Sequence, residues 1–238
     1  MYVSDGILIL LGSFLLGSVP TGVLLAKACR LPDPRTIGSG NIGATNMLRT
    51  GNKKVALATL LLDAGKGAAA VLLAVAYDKS RHMGVPIVEI ANPEWFGGVN
   101  SGLVWPALAM LGALLGHCYT PWLKFKGGKG VATYLGGLAA LNGWLLLVFC
   151  LSWLLTFRAS RYVSLASLVA MLAVPFFLAV AKLAVAPGTL PLSVTVHTFS
   201  PIILLLGIAS AVGIWRHREN IRRLRTGTES KFSKGKKA

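Results

Sequence analysis

The sequence predicts an all-α fold, a polytopic membrane helix bundle, and three observations support this. Hydrophobic residues make up 54% of the 238 residues and charged residues only 13%, whereas a soluble protein carries about 25% charged residues. The mean hydropathy is +0.66. Six apolar stretches approach or exceed the ~20 residues that span a bilayer core, and they cover residues 6–28, 55–77, 102–123, 131–157, 163–186 and 199–215.

Basic residues are concentrated in particular connections between these stretches. Residues 27–54 carry six Lys or Arg against a single acid, residues 123–130 carry three lysines, and the segment after Trp215 carries nine Lys or Arg. By contrast, residues 187–198 carry no charged side chain, and residues 78–100 carry more acids than bases. The positive-inside rule therefore predicts that the basic segments and the C-terminus are cytoplasmic and that the N-terminus is outside.

The fourth apolar stretch, residues 131–157, is expected to enter the membrane and return, turning near Asn142-Gly143. A single crossing would place Arg158, Arg161 and the basic C-terminal segment outside, against the charge rule. Twenty-seven helical residues extend only about 40 Å, so each limb has about 20 Å, less than the ~30 Å core. The sequence thus predicts about seven membrane helices, this pair being two short helices or a re-entrant hairpin. One tilted span with an inverted tail is the alternative.

We expect one integral membrane domain over residues 1–229 and a basic, disordered cytoplasmic tail over residues 230–238 that is attracted to anionic lipid. The net charge of +16 lies in the membrane-flanking segments, so it does not indicate a nucleic-acid partner. No internal repeat is apparent, which disfavours a transporter built from repeated halves. The eight acidic residues are scattered, so no metal is expected, and no other cofactor is predicted.

Two glycine-rich segments, residues 38–46 and 125–133, interrupt the apolar stretches. Glycine lets a backbone approach an anion closely and point successive N–H groups at it. Arg49, Lys126 and Lys129 add positive charge beside these segments. The pattern differs from a Walker A loop, which has its first Gly six residues before its Lys and Ser or Thr directly after it. It predicts a phosphate-bearing substrate held at the membrane surface, near Gly38, Gly40, Gly127, Gly128 and Gly130.

Several long motifs follow one another in a recognisable order. With them the chain resembles the acyl-phosphate:glycerol-3-phosphate acyltransferase (PlsY) family of bacterial integral membrane enzymes over nearly its whole length. Two features depart from the usual pattern: the proline after Gly116-His117 is shifted to Pro121, and residues 78–100 and the tail are elaborated. The motifs are Gly17-Ser-Val-Pro-Thr-Gly22, Leu31-Pro-Asp-Pro-Arg-Thr, Gly38-Ser-Gly-Asn-Ile-Gly-Ala-Thr-Asn-Met-Leu-Arg49, Gly116-His-Cys-Tyr-Thr-Pro-Trp-Leu-Lys-Phe-Lys-Gly-Gly-Lys-Gly-Val-Ala-Thr133, Arg161-Tyr-Val-Ser-Leu165, Arg216-His-Arg-Glu-Asn220 and Gly227-Thr-Glu229.

The resemblance implies an acyl transfer at the start of membrane phospholipid biosynthesis. The acyl group of an acyl phosphate would move to the sn-1 hydroxyl of glycerol 3-phosphate, giving lysophosphatidic acid and inorganic phosphate. The implied location is the bacterial cell (inner) membrane with the active site facing the cytoplasm. The implied partners are the two substrates, membrane lipids and the enzyme that produces acyl phosphate. Acyltransferases that use acyl-CoA or acyl carrier protein have a His-x4-Asp pattern. In agreement with the resemblance, no histidine of this chain has an aspartate five positions later.

The motifs and the resemblance together define the candidate site. The catalytic set comprises Ser39, Arg49, Lys129, His217 and Asn220, and the substrate-binding set comprises Gly38, Gly40, Asn41, Thr45, Asn46, Lys126, Gly127, Gly128, Gly130, Ser164 and Glu229.

Structural roles are the alternative for each of these residues. The serines and asparagines are also suited to turns and helix caps, and the lysines and arginines to anchoring cytoplasmic loops. His217 and Asn220 are three residues apart, on one helical face, where a role at the membrane interface is the alternative. Asp63 and Lys66 lie inside the second apolar stretch at i,i+3 spacing, and we expect them to pair with each other or to line the cleft.

A strong protein base is not required by this chemistry. An acyl phosphate is a mixed anhydride with a good leaving group, so holding two phosphates and stabilising charge are the main tasks. A phosphate oxygen of the substrate is our hypothesis for the proton acceptor.

Two other functions fit the cationic segments: a transporter or binding protein for an organic phosphate, and a phospholipid enzyme that moves a headgroup. The transporter needs a site reachable from both faces, and the headgroup enzyme needs acidic metal ligands.

Overall fold

The computed structural model describes residues 3–81, 104–184 and 200–232, and these form helices joined by short connections. Within these described residues, four helical segments are long and apolar enough to cross a membrane, namely Val3–Ala28, Lys53–Asp78, Gly143–Ser160 and Val163–Leu183. Two shorter apolar helices, Val131–Leu141 and Pro201–Arg216, accompany them. The all-α membrane bundle is therefore confirmed, while the number of crossings and their direction stay predictions.

The first apolar stretch forms two helices, α1 (Val3–Gly17) and α2 (Thr21–Ala28), where the sequence predicted one. The break is at Pro20, which has no N–H to continue the helical hydrogen bonds. Two carbonyls freed by the break are bonded elsewhere: Thr120 Oγ1 donates to Ser18 O at 2.6 Å, and Lys66 Nζ donates to Val19 O at 3.0 Å. The break therefore ties α1 to the neighbouring helices.

A loop after α2 leads into α3 (Ala44–Met47), a short 3-10 turn, and the long helix α4 (Lys53–Arg81). Helix α4 crosses a later helix, α6 (Val131–Leu141), closely because small residues face each other there. A Cβ added at Gly67 would overlap the carbonyl of Thr133, and one at Gly136 would overlap that of Ala64. Such close contacts between small residues are typical of helices packed in a membrane.

Helix α5 (Val104–Cys118) is the central helix of the bundle, with almost its whole length buried. It packs against α1, α4 and α6, and against α9 (Ser200–Arg216) near the C-terminus. A Cβ at Gly116 would overlap the carbonyl of Phe14, so α1 and α5 are in backbone contact. The end of α5 at Cys118 precedes the second glycine-rich segment, and the core therefore fixes where that segment begins.

The stretch 131–157 divides into α6 (Val131–Leu141) and α7 (Gly143–Ser160), so the chain breaks where the turn was predicted. The return of this stretch through the membrane stays a prediction. Asn142 caps α7, because its Oδ1 accepts the N–H groups of Trp144 at 2.9 Å and Leu145 at 3.1 Å. The two limbs are unequal, about 16 Å and 27 Å, so the expectation of two limbs of similar length was wrong. Helix α7 is the longer limb because it continues past residue 157 to Ser160. Arg161, which follows it, has a left-handed backbone conformation and ends the helix.

Helices α8 (Val163–Ala184), α9 (Ser200–Arg216) and the basic α10 (Arg218–Arg225) complete the described chain. Ser230 and Phe232 contact Arg49 and Arg161, so residues 230–232 lie with the folded domain rather than with the predicted tail. Residues 233–238 and the predicted external segments, apart from 78–81, lie outside the described residues. The main core is formed by side chains of α5, α6, α8 and α9, among them Met110, Leu114, Tyr134, Met171 and Leu206.

Candidate active site

Glu229 is the centre of a polar cluster that joins three parts of the chain. Its Oε1 accepts hydrogen bonds from Ser164 Oγ and Asn220 Nδ2, both at 2.6 Å, and its Oε2 accepts from Arg223 Nε at 2.7 Å. Although burial acts to raise it, these donors hold the pKa of Glu229 below its usual value. The carboxylate is thus ionised and already satisfied by the protein's own groups.

Lys129 joins this cluster through Asn220, whose Oδ1 accepts the Lys129 ammonium at 2.6 Å. The amide of Asn220 therefore links Lys129 to Glu229 and has a defined orientation. Burial, with the nearby charges of Arg223, Arg216 and Arg49, lowers the pKa of Lys129 to about 8, against the opposing effect of Glu229. At neutral pH the ammonium is charged, and it lies among other cations.

His217 lies between α9 and α10 and is buried. Its Nδ1 is 2.7 Å from the carbonyl of Gly213. A carbonyl only accepts hydrogen bonds, so we assign the imidazole proton to Nδ1 and a free lone pair to Nε2. Burial, together with the charge of Lys129, lowers the pKa of His217 to about 4. The side chain is therefore neutral at pH 7 and presents a hydrogen-bond acceptor.

The second glycine-rich segment is bound to the end of α5. The N–H of Gly127 donates to Cys118 O at 3.1 Å, and the N–H of Gly128 donates to His117 O at 3.0 Å. These two N–H groups are used inside the protein, which corrects the expectation that they point at an anion. A Cβ on Gly128 would overlap Nε2 of His117. The absence of side chains here permits close packing, and Gly130, with φ of +80°, leads into α6.

The first glycine-rich segment is organised by Asn46, which is buried. Its Nδ2 donates to the carbonyls of Pro34 at 2.7 Å and Asn41 at 2.8 Å. Its Oδ1 accepts from both the N–H and the hydroxyl of Ser39, at 3.0 and 3.2 Å. The Oδ1 of Asn41 accepts the N–H of Gly43 at 2.8 Å. The two asparagines thus shape the loop, and Ser39 lies exposed on its surface.

Arg49 follows this loop and lies against Gly38, where a Cβ would overlap its side chain. Its Nη2 donates to Ser230 Oγ at 3.3 Å, which connects the loop to the segment after α10. Gly38 and Gly40 have φ of +53° and +66°, a region that favours glycine. Arg49 is exposed and its charge acts on Lys129, so the first loop and the Glu229 cluster adjoin each other.

Two candidate residues make no side-chain hydrogen bond or ion pair within the described part of the chain. Lys126 and Thr45 are both exposed and lie at the margins of the two glycine-rich segments.

The expected Asp63–Lys66 pair is confirmed, with Lys66 Nζ 2.8 Å from Asp63 Oδ1. Both are buried, and Asp63 also accepts from Thr21 Oγ1 at 2.6 Å.

Two arginines of the candidate site were not predicted from the sequence. Arg223 binds Glu229, and Arg216 binds the carbonyls of Gly127 and Gly128. Arg216 stands first in the motif Arg216-His-Arg-Glu-Asn220, which identified the segment but not this contact. A tertiary hydrogen bond to backbone carbonyls has no signature in sequence spacing, so only the folded structure reveals it.

Comparison with known proteins identifies the family to which this fold belongs. The profile of the glycerol-3-phosphate acyltransferase family matches residues 7–227. The glycerol-3-phosphate acyltransferase of Rhodopseudomonas palustris (strain HaA2) is 45% identical over 95% of each chain. That of Agrobacterium fabrum is 45% identical over 92% of this chain and 88% of its own.

Solved structures point to the same family as the sequence matches. A crystal structure of PlsY (YgiH), an integral membrane glycerol 3-phosphate acyltransferase, in its glycerol 3-phosphate form has a TM-score of 0.74 and 33% identity, over 96% of both chains. Its lysophosphatidic acid form has a TM-score of 0.71. Fold and site thus define an integral membrane acyltransferase of phospholipid synthesis. The chain belongs to the PlsY glycerol-3-phosphate acyltransferase family, which confirms the resemblance and removes the transporter and headgroup alternatives.

Proposed function

We propose that the enzyme transfers the acyl group of an acyl phosphate to the sn-1 hydroxyl of glycerol 3-phosphate, giving lysophosphatidic acid and inorganic phosphate. The observation that carries this proposal is the surplus of cations in the site. Lys129 lies within the electrostatic reach of Arg49, Arg216 and Arg223, while Glu229 is already bound by three donors. The similar PlsY structures are described as glycerol 3-phosphate and lysophosphatidic acid forms, which supports the same substrate and product here.

Arg49 and Lys129 are the cations that we assign to the substrate phosphates. They belong to different glycine-rich segments, so together they can hold two phosphates close to each other despite the repulsion between them. Ser39, exposed and fixed by Asn46, is assigned to hydrogen bonding with a substrate. Asn220 is assigned to orienting the Lys129 ammonium, to which it is hydrogen-bonded. Ser164 is assigned to holding the Glu229 carboxylate by its hydrogen bond.

The remaining candidates are assigned to the shape of the site and to its entrance. Gly127 and Gly128 hold the segment before Lys129 against α5, and Gly130 allows the turn into α6. Asn41 and Asn46, with Gly38 and Gly40, hold the first loop in place. Lys126 and Thr45, both exposed, are assigned to the approach of the charged substrates.

The proton of the attacking hydroxyl is assigned to a phosphate oxygen of the substrate. With a pKa of about 4, His217 is a weak base at pH 7, so we assign it to hydrogen bonding through Nε2. Two positive groups beside the reacting phosphates stabilise the negative charge on the carbonyl oxygen and on the departing phosphate. A pH–rate limb that disappears on replacing His217 would contradict this assignment.

We further propose that the enzyme lies in the bacterial inner membrane with about seven crossings, its N-terminus outside and its active site facing the cytoplasm. The support is the convergence of basic segments. Contacts join Arg49, Lys129, Ser164 and the segment 216–230 in one cluster, so they lie at one end of the bundle. On the cytoplasmic side this cluster would meet glycerol 3-phosphate, the enzyme that produces acyl phosphate, and anionic membrane lipids.

The test of the reaction is a direct donor competition. Purified enzyme receives radiolabelled glycerol 3-phosphate with acyl phosphate, acyl-CoA or acyl carrier protein loaded with the same acyl chain. We expect labelled lysophosphatidic acid only with acyl phosphate, released together with one equivalent of inorganic phosphate. Product formed equally well from acyl-CoA would refute the proposed donor. Lys129→Met serves as the matched low-activity control, because it removes one charge and retains a side chain of similar length.

A further inference from the structure

Arg216 holds the two carbonyls that immediately precede Lys129. Its Nη2 donates to Gly127 O at 2.7 Å and its Nε donates to Gly128 O at 3.0 Å. The planar guanidinium presents these donors in a fixed fork, so one side chain binds both carbonyls at once. The N–H groups of the same glycines donate to Cys118 O and His117 O. The backbone before Lys129 is therefore held on two sides, by α5 and by Arg216.

The guanidinium of Arg216 is committed to this contact rather than to an ion pair. Within the residues that the structure describes it has no carboxylate partner, and it lies over the ring of Tyr119, 5.4 Å from the centroid. A charged donor placed on neutral carbonyls gives a stronger hydrogen bond than a neutral donor does. The position of Arg216 at the end of α9 makes this bond a direct link between that helix and the lysine segment.

The same link joins Lys129 to the other polar residues of the site. His217 follows Arg216 in the chain, and its ring is bonded to Gly213 O. A Cβ on Gly213 would lie 4.0 Å from the carbonyl of Lys129, so α9 passes near the lysine backbone as well. Asn220 lies one turn further along the chain, and its Oδ1 accepts a hydrogen bond from the Lys129 ammonium. Movement of the segment 127–129 would therefore alter the distance between Lys129 and its partners.

We propose that Arg216 is a positioning residue that sets the place of the Lys129 ammonium by holding the Gly127 and Gly128 carbonyls. It acts on the reaction through Lys129 and not by contact with a substrate. The proposal rests on the proposed role of Lys129 in binding a substrate phosphate. Lysine at position 216 would keep the charge but would lack the fork, so it would hold at most one of the two carbonyls well.

The test combines kinetics with hydrogen exchange on the full-length enzyme in detergent. Arg216→Lys is expected to lower kcat/KM about tenfold, the usual effect of losing one charged hydrogen bond. Amide exchange should become faster in the peptide that covers residues 125–131 and should stay unchanged in α7. The matched control is Arg218→Lys, because Arg218 is exposed and contacts Trp215. This control is expected to keep wild-type kinetics and wild-type exchange.

A double-mutant cycle separates positioning from direct contact with substrate. In the Lys129→Met background, Arg216→Lys should cause little further loss if Arg216 acts through Lys129. The Arg216→Lys loss should also fall on the same parameter, KM or kcat, as the loss caused by Lys129→Met. An additive loss, or a loss with unchanged exchange at residues 125–131, would overturn the proposal. Full activity of Lys129→Met would instead refute the role of Lys129, and the proposal about Arg216 with it, whatever the exchange data show.

Discussion

Arg49 connects two parts of the site at the scale of a single residue, because it lies over Gly38 and bonds to Ser230. Arg49→Ala should lower kcat/KM roughly 10- to 150-fold, since one or more charged hydrogen bonds worth about 1.5–3 kcal/mol are lost. Arg49→Lys should recover only part of this, because the planar fork is absent. Steady-state kinetics with both substrates measure the effect.

The matched control for Arg49 is Arg35 in the same loop. Arg35 is exposed and paired with Asp33, Nη2 to Oδ2, at 2.5 Å. Its charge is therefore offset by a neighbour, and Arg35→Ala should leave the kinetics nearly unchanged. A folded, membrane-inserted Arg49→Ala enzyme with the activity of the Arg35→Ala control would remove Arg49 from the site.

The pKa of Lys129, lowered to about 8, predicts a pH dependence. The ammonium is positive below this pKa and neutral above it, so the affinity for an anionic substrate should fall as pH rises through about 8. The plot of kcat/KM against pH reports the free enzyme and should show this limb. Lys129→Arg is the control, because a guanidinium does not lose its proton in this range. A limb that persists unchanged in Lys129→Arg must come from another group.

At the scale of elements, the segment 127–130 and the end of α5 form one packed unit. Gly128→Ala adds a single methyl group, but that methyl would overlap Nε2 of the buried His117. The segment must shift, so we expect a raised KM for a phosphate substrate with the protein still inserted in the membrane. Gly207→Ala in α9 is the control, because no atom lies within 4 Å of its added methyl. Equal kinetics for the two variants would mean that the segment tolerates displacement.

The Asp63–Lys66 pair joins α4 to the α1–α2 break, since Asp63 accepts from Thr21 and Lys66 donates to Val19 O. Removing one member leaves a buried charge without its counterion, at a cost of about 3–5 kcal/mol. Asp63→Asn should therefore lower the thermal unfolding temperature in detergent. The double variant Asp63→Asn with Lys66→Met should be more stable than Asp63→Asn alone. If the double variant unfolds earlier than the single one, the pair is not an electrostatic unit.

Sequence reasoning predicted those features that depend on local composition. Hydropathy identified the helices, the loop charges required a turn within residues 131–157, and Asn142 supplies the cap at that turn. The recognisable motifs grouped Ser39, Arg49, Lys129, His217 and Asn220 as one candidate site. The structure joins Lys129 to Asn220, and the catalytic roles of the set stay predictions. Sequence reasoning could not predict the contacts of Arg216 or the use of the Gly127 and Gly128 N–H groups by α5, because both depend on packing between distant helices.

At the scale of the whole molecule, the contacts that join the basic segments predict that these segments share one side of the membrane. Single cysteines placed in residues 36–50, 124–130 or 158–162, or after residue 216, should resist a membrane-impermeant thiol reagent added outside intact cells. Cysteines placed in residues 78–100 and 187–198 should react, because these connections carry no excess of basic residues.

The labelling experiment needs a background without the native thiols Cys29, Cys118 and Cys150. Cys118 is buried beside the core, so Cys118→Ala is preferred to a polar replacement, and the background must retain acyltransferase activity. Each introduced cysteine is also labelled after the membrane is opened, which shows that a silent site is inaccessible rather than unreactive. Reaction of a cysteine after residue 216 in intact cells would place the Glu229 cluster outside and refute the orientation. Because Glu229 is bonded to Ser164 of α8 and to Asn220 of α10, that result would move the whole active site with it.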